Sequence, residues 1–186
     1  MPERAEEILR QIEKSAERNY LPIIGPRRGR VLAKLVAQLK PRRVLEVGTL
    51  IGYSAILMGK ELGSESEIIT IEIDKEEAEI ARRNIEMAEI KPKVRVIVGD
   101  ASDVIPKLQG KFDLVFLDGH KNEYFEHLKM IEKKMHRGSV VVADNAGAYA
   151  YSMRDYLDYV RNSGRYESYF MQIGSDGLEV SIKISD

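Results

Sequence analysis

Arg43 to Ser54 reads RVLEVGTLIGYS, a short apolar strand followed at once by a glycine-bearing loop and the start of an apolar helix. A strand that feeds a helix through so short a loop is half of a parallel crossover unit, and this stretch places the chain among α/β folds. Working downstream, the alternation repeats. Helix YSAILMGKEL is followed by strand EIITIEI, helix KEEAEIARRNIEMAE, strand VRVIV and a short helix near Ala101 to Leu108. Strand FDLVFL, helix NEYFEHLKMIEKKM, strand SVVVAD and helix MRDYLDYVRNS complete the series. Runs such as LVFL and VVVA are apolar without alternation, as a parallel sheet covered on both faces requires. The expected fold is therefore a doubly wound α/β sheet. The last two strands, YESYFMQI and LEVSIKIS, are joined only by Gly174-Ser175-Asp176-Gly177, too short for a crossover, so they must be antiparallel.

Upstream, Glu3 to Arg18 carries Ile8, Leu9, Ile12 and Ala16 at helical spacing, and Pro22, Gly25 and Pro26 break it. Gly29 to Leu39 is a second striped helix, stopped before Pro41 because a residue preceding proline avoids the helical basin. The apolar stripe of the first helix suits either its own domain or a twin subunit.

The 186 residues fit one domain, expected over 1–186 with the helices of 1–40 covering the site. Hydrophobic content of 44% and charged content of 32% describe a globular chain, and no apolar run approaches the roughly 20 residues that cross a bilayer. A cytoplasmic location without membrane contact is the expectation. The absence of Cys excludes thiolate nucleophiles, zinc fingers and iron–sulfur clusters, so any metal must use oxygen or imidazole ligands. Net charge of -1 argues against a dominant nucleic-acid surface, although Arg27, Arg28 and Arg30, with Arg42 and Arg43, form local basic clusters.

In open sheets ligands bind beyond the carboxyl ends of the strands, so the residues that follow each strand carry the information. After the first strand, Gly48 and Gly52 let the backbone approach a ligand. Glu46, two residues before Gly48, would repel a pyrophosphate and attract an ammonium group, unless it is the partner of a nearby arginine. After the second strand, Glu72 is suited to accept ribose hydroxyls, whereas Asp74 reads as a helix N-cap with Glu77 completing a capping box. After the third, Asp100 either reaches an adenine amino group or caps the short helix. After the fourth and fifth come Asp118-Gly119-His120-Lys121 and Asp144-Asn145. Asp118, Asp144 and Asn145 could converge as three oxygen ligands for magnesium, with Lys121 beside them as a general base.

These motifs resemble, in order and across Ile23 to Lys183, the small metal-dependent O-methyltransferase family that includes catechol and caffeoyl-CoA O-methyltransferases. The resemblance rests on RRVLEVGTLIGYSA, TIEIDKEEAEIARRNIEMA, VIVGDASDVIPKL, FDLVFLDGHKNEY, VVVADN and DGLEVSIK. It implies a seven-stranded Rossmann-like sheet of order 3-2-1-4-5-7-6 with strand 7 antiparallel. It implies that S-adenosylmethionine is held at its methionine end by Glu46, Gly48, Tyr53 and Ser54 and at its ribose by Glu72. Ala101 and Ser102 would border the adenine, and the backbone near Ile24 would close over the cofactor; Asp100 and Asp118 are expected to line the same site. Asp118, Asp144 and Asn145 match the family's Mg2+ ligands and Lys121 its catalytic lysine. A small-molecule acceptor with vicinal oxygens and a homodimer are the corresponding expectations, with a hydroxylated base in tRNA as the alternative acceptor. A nicotinamide oxidoreductase is disfavoured by Glu46 and the loop spacing, and a cofactor-binding protein without catalysis is a further alternative. Two departures concern the acceptor side: Ala146-Gly147-Ala148-Tyr149 replaces a more aliphatic and Trp-bearing segment, and Phe170 falls where catechol enzymes place a carboxylate.

Overall fold

The computed structural model describes residues 2–185, so Met1 and Asp186, the ends of the expected domain, lie outside the described residues. The elements run α1 (Pro2–Asn19), α2 (Gly25–Leu39), β1 (Arg43–Val47), α3 (Tyr53–Gly59), β2 (Glu67–Glu72), α4 (Lys75–Ala88) and β3 (Lys93–Val98). They continue with α5 (Ala101–Val104), β4 (Phe112–Leu117), α6 (Tyr124–Glu132), β5 (Met135–Asp144), α7 (Arg154–Asn162), β6 (Tyr166–Ile173) and β7 (Asp176–Lys183). The seven strands form one sheet in the order β3-β2-β1-β4-β5-β7-β6, as expected. β7 runs antiparallel to both β5 and β6.

Alternate residues of each central strand feed opposite faces, which explains the unbroken apolar runs. Val44, Leu114, Phe116, Val140 and Val142 pack with α1, α2 and α3, while Leu45, Val115, Leu117, Val141 and Ala143 pack with α5, α6 and α7. Ile8, Leu9 and Ile12 join the first of these cores, so α1 covers its own domain. β1 lies between β2 and β4, and the chain leaves it in both directions. The ends of β1 and β4 are thus the switch point where a crevice opens in a doubly wound sheet.

Two local expectations need correction. The closing turn is only Gly174-Ser175: Ile173 pairs with Asp176, which draws Asp176 and Gly177 into β7. The capping box at α4 is half formed. Asp74 accepts from the amides of Glu76 and Glu77, but the Asp74 amide donates to Glu72 Oε1 at 3.0 Å instead of to Glu77. The nearer carboxylate at the strand end wins that donor.

Candidate active site

A cavity of about 570 Å³ opens over the carboxyl ends of β1, β2, β3 and β4. Pro22, Ile23 and Ile24, in the segment between α1 and α2, form its cover, and Asn145 and Tyr149 beyond β5 close its far end. Its floor is the loop after β1. Gly48 has φ of +98°, and a Cβ there would fall 2.5 Å from the carbonyl oxygen of Asp118. This glycine serves first to let the β1 and β4 loops touch, since no side chain fits between their backbones.

The first half of the cavity is nucleoside-sized in chemistry. Glu72 lines it and is anchored by two backbone donors, Leu50 N at 2.7 Å and Asp74 N at 3.0 Å. A carboxylate has about four lone-pair sites, so an anchored Glu72 still has acceptor capacity for vicinal hydroxyls. Asp100 lines the cavity and also caps α5, accepting from Ser102 N at 2.7 Å, so the two roles left open for it are compatible. Ala101 is in the lining, whereas Ser102 Oγ lies 3.5 Å from His127 Nε2 on α6. His127, unremarkable in sequence, lines the cavity with a buried, unpartnered Nδ1, and burial holds its pKa below the ordinary value. Only the packing of α6 against α5 brings it there.

Glu46 is not the cavity-facing anion that the spacing suggested. It is fully buried behind Ser54, accepting from Ser54 Oγ and, at 2.6 Å, from Thr70 Oγ1. Among the described residues its hydrogen-bond partners are Ser54 and Thr70, not an arginine. Desolvation pushes its carboxyl up to about 7, against the opposing hydroxyl bonds of Ser54 and Thr70. Ser54 and Tyr53 line the cavity, but the Tyr53 hydroxyl donates to Glu13 of α1. That bond uses the hydroxyl to hold α1 down, leaving the ring as cavity wall.

The second half gathers the residues after β4 and β5. Lys121 Nζ lies 3.1 Å from Asp118 Oδ1 and donates to Tyr124 OH at 2.8 Å. Asn145 has φ of +63° and donates through Nδ2 to Asp176 Oδ2 at 2.8 Å. Asp176 also accepts from the amides of Gly147 and Ala148 and from Arg28; against its desolvation, the bonds from Ala148, Asn145 and the Gly177 amide and the charge of Arg28 hold its carboxyl below the ordinary range. Burial raises both Asp118 and Asp144; Lys121 opposes this at Asp118 and Arg28 at Asp144, while the charge of Asp144 adds to the rise at Asp118 and that of Asp176 to the rise at Asp144. Asp144 is 1% exposed and its Oδ1 makes no hydrogen bond. Among the described residues no three His, Cys, Asp or Glu side chains cluster to hold a metal. The candidate set is two carboxylates and an amide, and the buried Asp144 Oδ1, which faces Arg28 Nε at 2.8 Å but accepts no hydrogen bond, fits a cation site. Tyr149 lines the cavity near Asn145, whereas the Phe170 ring packs over Gly147 and Gly177 behind Asp176. His120 lines the cavity as well.

A nucleoside-type half and an acid–lysine half at the switch point of a 3-2-1-4-5-7-6 sheet define a Rossmann-like methyltransferase. Residues 2–154 match the O-methyltransferase family. Catechol O-methyltransferase B of Danio rerio is 35% identical over 178 residues, covering 89% of this chain and 67% of that protein. Among solved structures, the O-methyltransferase TomG of Streptomyces achromogenes in complex with SAM superposes with a TM-score of 0.84 at 26% identity, covering 96% of this chain and 90% of that one. The O-methyltransferase from Bacillus cereus in complex with SAH gives 0.82 at 27% identity, covering 97% and 91%. The chain belongs to the O-methyltransferase family, whose members of this class depend on S-adenosylmethionine.

Proposed function

We propose that this protein transfers the methyl group of S-adenosylmethionine to a hydroxyl of a small acceptor carrying two neighbouring oxygens, at a site that also holds a divalent cation such as Mg2+. The observation that carries the reading is the pairing, in one cavity, of anchored Glu72 with Asp118, Asn145 and Lys121, with the buried Asp144 close enough to Asp118 to act on its charge. In this reading Glu72 takes the ribose hydroxyls, Gly99, Asp100 and Ala101 border the adenine, and Ile24 closes over the cofactor. Ser54 and the backbone around Gly48 hold the methionine end, with the buried Glu46 behind Ser54 favouring its ammonium group.

Asp118, Asp144 and Asn145 would hold the cation, which when bound supplies Lewis-acid polarisation of an acceptor oxygen. Asp176 orients the Asn145 amide by accepting from Nδ2, which commits the other end of that amide to the ligand role. Lys121 takes the acceptor's proton as the hydroxyl oxygen attacks the methyl carbon, and the carbon–sulfur bond breaks with its electron pair going to sulfur. Tyr124 OH, 2.8 Å from Nζ, keeps the amine at the rim of the cavity. Since a sulfonium methyl is already activated, alignment supplies most of the rate, and good alignment is worth about 7 kcal/mol or more.

Arg28 and Arg43 speak against an RNA acceptor. Arg28 is held by Asp144 and Asp176, and Arg43 by Glu67 and the carbonyls of Gln109 and Lys111, so two arginines of the basic clusters are already engaged and less free to meet phosphates. Among the described residues no helix is long and apolar enough to cross a membrane. The test is Lys121→Ala, assayed by single-turnover methylation of a catechol and by calorimetric titration of S-adenosylhomocysteine. Turnover is expected to drop by about 100-fold or more, the range for loss of a general base, with cofactor affinity kept. Undiminished turnover refutes the role given to Lys121.

A further inference from the structure

Arg28 was read in sequence only as part of a basic cluster, yet it reaches the acid end of the cavity from the first turns of α2, and it lines that cavity. Its Nη1 donates to Asp176 Oδ2 at 3.2 Å, and its Nε stands 2.8 Å from Asp144 Oδ1. The second contact is unusual. Both atoms are buried, and neither makes a hydrogen bond, so the N–H is not aimed at the oxygen beside it. The protein contains a contrasting pair. Arg161 meets the fully buried Glu179 through two aligned bonds, Nε to Oε1 at 2.8 Å and Nη2 to Oε2 at 2.6 Å. A fork-to-fork pair of that kind is what a structural arginine makes. Arg28 matches the charge of Asp144 without matching its geometry.

We infer that Arg28 is a resident counter-ion of Asp144, which yields that carboxylate when a divalent cation binds and so sets how tightly the cation is held. This rests on the metal reading above. Arg28 supplies a positive charge that a buried carboxylate needs, and the same charge opposes an incoming cation at close range. Its bond to Asp176 lets the guanidinium stay in place while releasing Asp144. Because Arg28 sits in α2, immediately after the Ile24 cover, the exchange also links cation binding to the segment that closes the cavity. Replacing the charge by a neutral amide removes both the competitor and the repulsion, so affinity for the cation rises.

The test is calorimetric titration of Mn2+ into the wild-type protein and Arg28→Gln, both saturated with S-adenosylhomocysteine. The variant should bind Mn2+ at least tenfold more tightly than the wild type. Binding by both proteins with equal or weaker affinity in the variant overturns the role of Arg28 and leaves the metal reading standing. If neither binds Mn2+ at millimolar concentration while both bind S-adenosylhomocysteine, the metal reading falls and this inference with it. Should Arg28→Gln not fold, the wild-type protein still decides. Its Arg28 Nε–H resonance, assigned by its loss in Arg28→Lys, should exchange faster with solvent as Mg2+ is added. Unchanged exchange at saturating Mg2+ overturns the inference.

Discussion

Gly48→Ala is the substitution that most directly probes how the two halves of the site are joined. The backbone at Gly48 has φ of +98°, and an added Cβ would sit 2.5 Å from the Asp118 carbonyl oxygen, 2.7 Å from its carbon and 3.0 Å from Gly119 N. All three atoms are backbone, so no side chain can swing aside; the β1 and β4 loops must separate. Two costs combine: backbone strain of about 1–3 kcal/mol for a non-glycine residue in this region, and overpacking of about 1–3 kcal/mol. For a domain of this size about 1 kcal/mol moves Tm by about 2–4 °C, which gives an expected fall of about 5–20 °C. Gly138→Ala separates the two costs, because Gly138 has φ of +92° and nothing within 4 Å of the added Cβ. It should show the strain alone. The assay is thermal denaturation of the three proteins with and without S-adenosylhomocysteine. Gly48→Ala should lose more stability than Gly138→Ala and also bind the ligand at least tenfold more weakly, since Asp118 moves with its loop. Equal losses in the two variants, or unchanged ligand binding in Gly48→Ala, would refute the claim that this contact sets the geometry of the site.

Burial raises the Glu46 carboxyl from its ordinary value to about 7, so its contribution to stability is fully present below the unfolded value and is lost as pH rises through about 7. Relative to Glu46→Gln, the ligand-free wild type should therefore lose up to about 3 kcal/mol between pH 5 and pH 8, read by urea denaturation; a pH-independent difference between the two proteins contradicts this. Arg161→Ala leaves Glu179 buried without its partner, and uncompensated buried charges cost about 3–5 kcal/mol. Denaturation midpoints should show that loss while S-adenosylhomocysteine affinity stays within threefold, and a stability change under about 1 kcal/mol would mean that Ser168 and water suffice for Glu179.

The strand ends were the legible part of the candidate site. Strand–loop–helix periodicity located the ends of β1, β2, β4 and β5, and chemistry at those ends singled out Glu72, Asp118, Lys121 and Asn145, all of which border one cavity. The same reasoning did not foresee the burial of Glu46, because alternation along β1 does not say that Ser54 and Thr70 will close over its carboxylate. It also left Asp176 in a turn. Pairing with β6 moves that residue into β7, where it organises Asn145, Gly147 and Ala148.

What the amino-acid sequence determined by itself was the architecture: the order of strands and helices, the antiparallel closing pair and the strand ends where a ligand binds. Those follow from local regularities, the periods of two and 3.6 residues and the reach of short loops, which neighbouring residues specify among themselves. The tertiary structure alone decided the electrostatics of the acid end. Arg28 stands 116 residues from Asp144 and 148 from Asp176 along the chain, and no local pattern brings them together. Their meeting depends on α2 docking over the switch point, where packing of apolar faces, indifferent to the charges it carries along, places an arginine against two buried carboxylates.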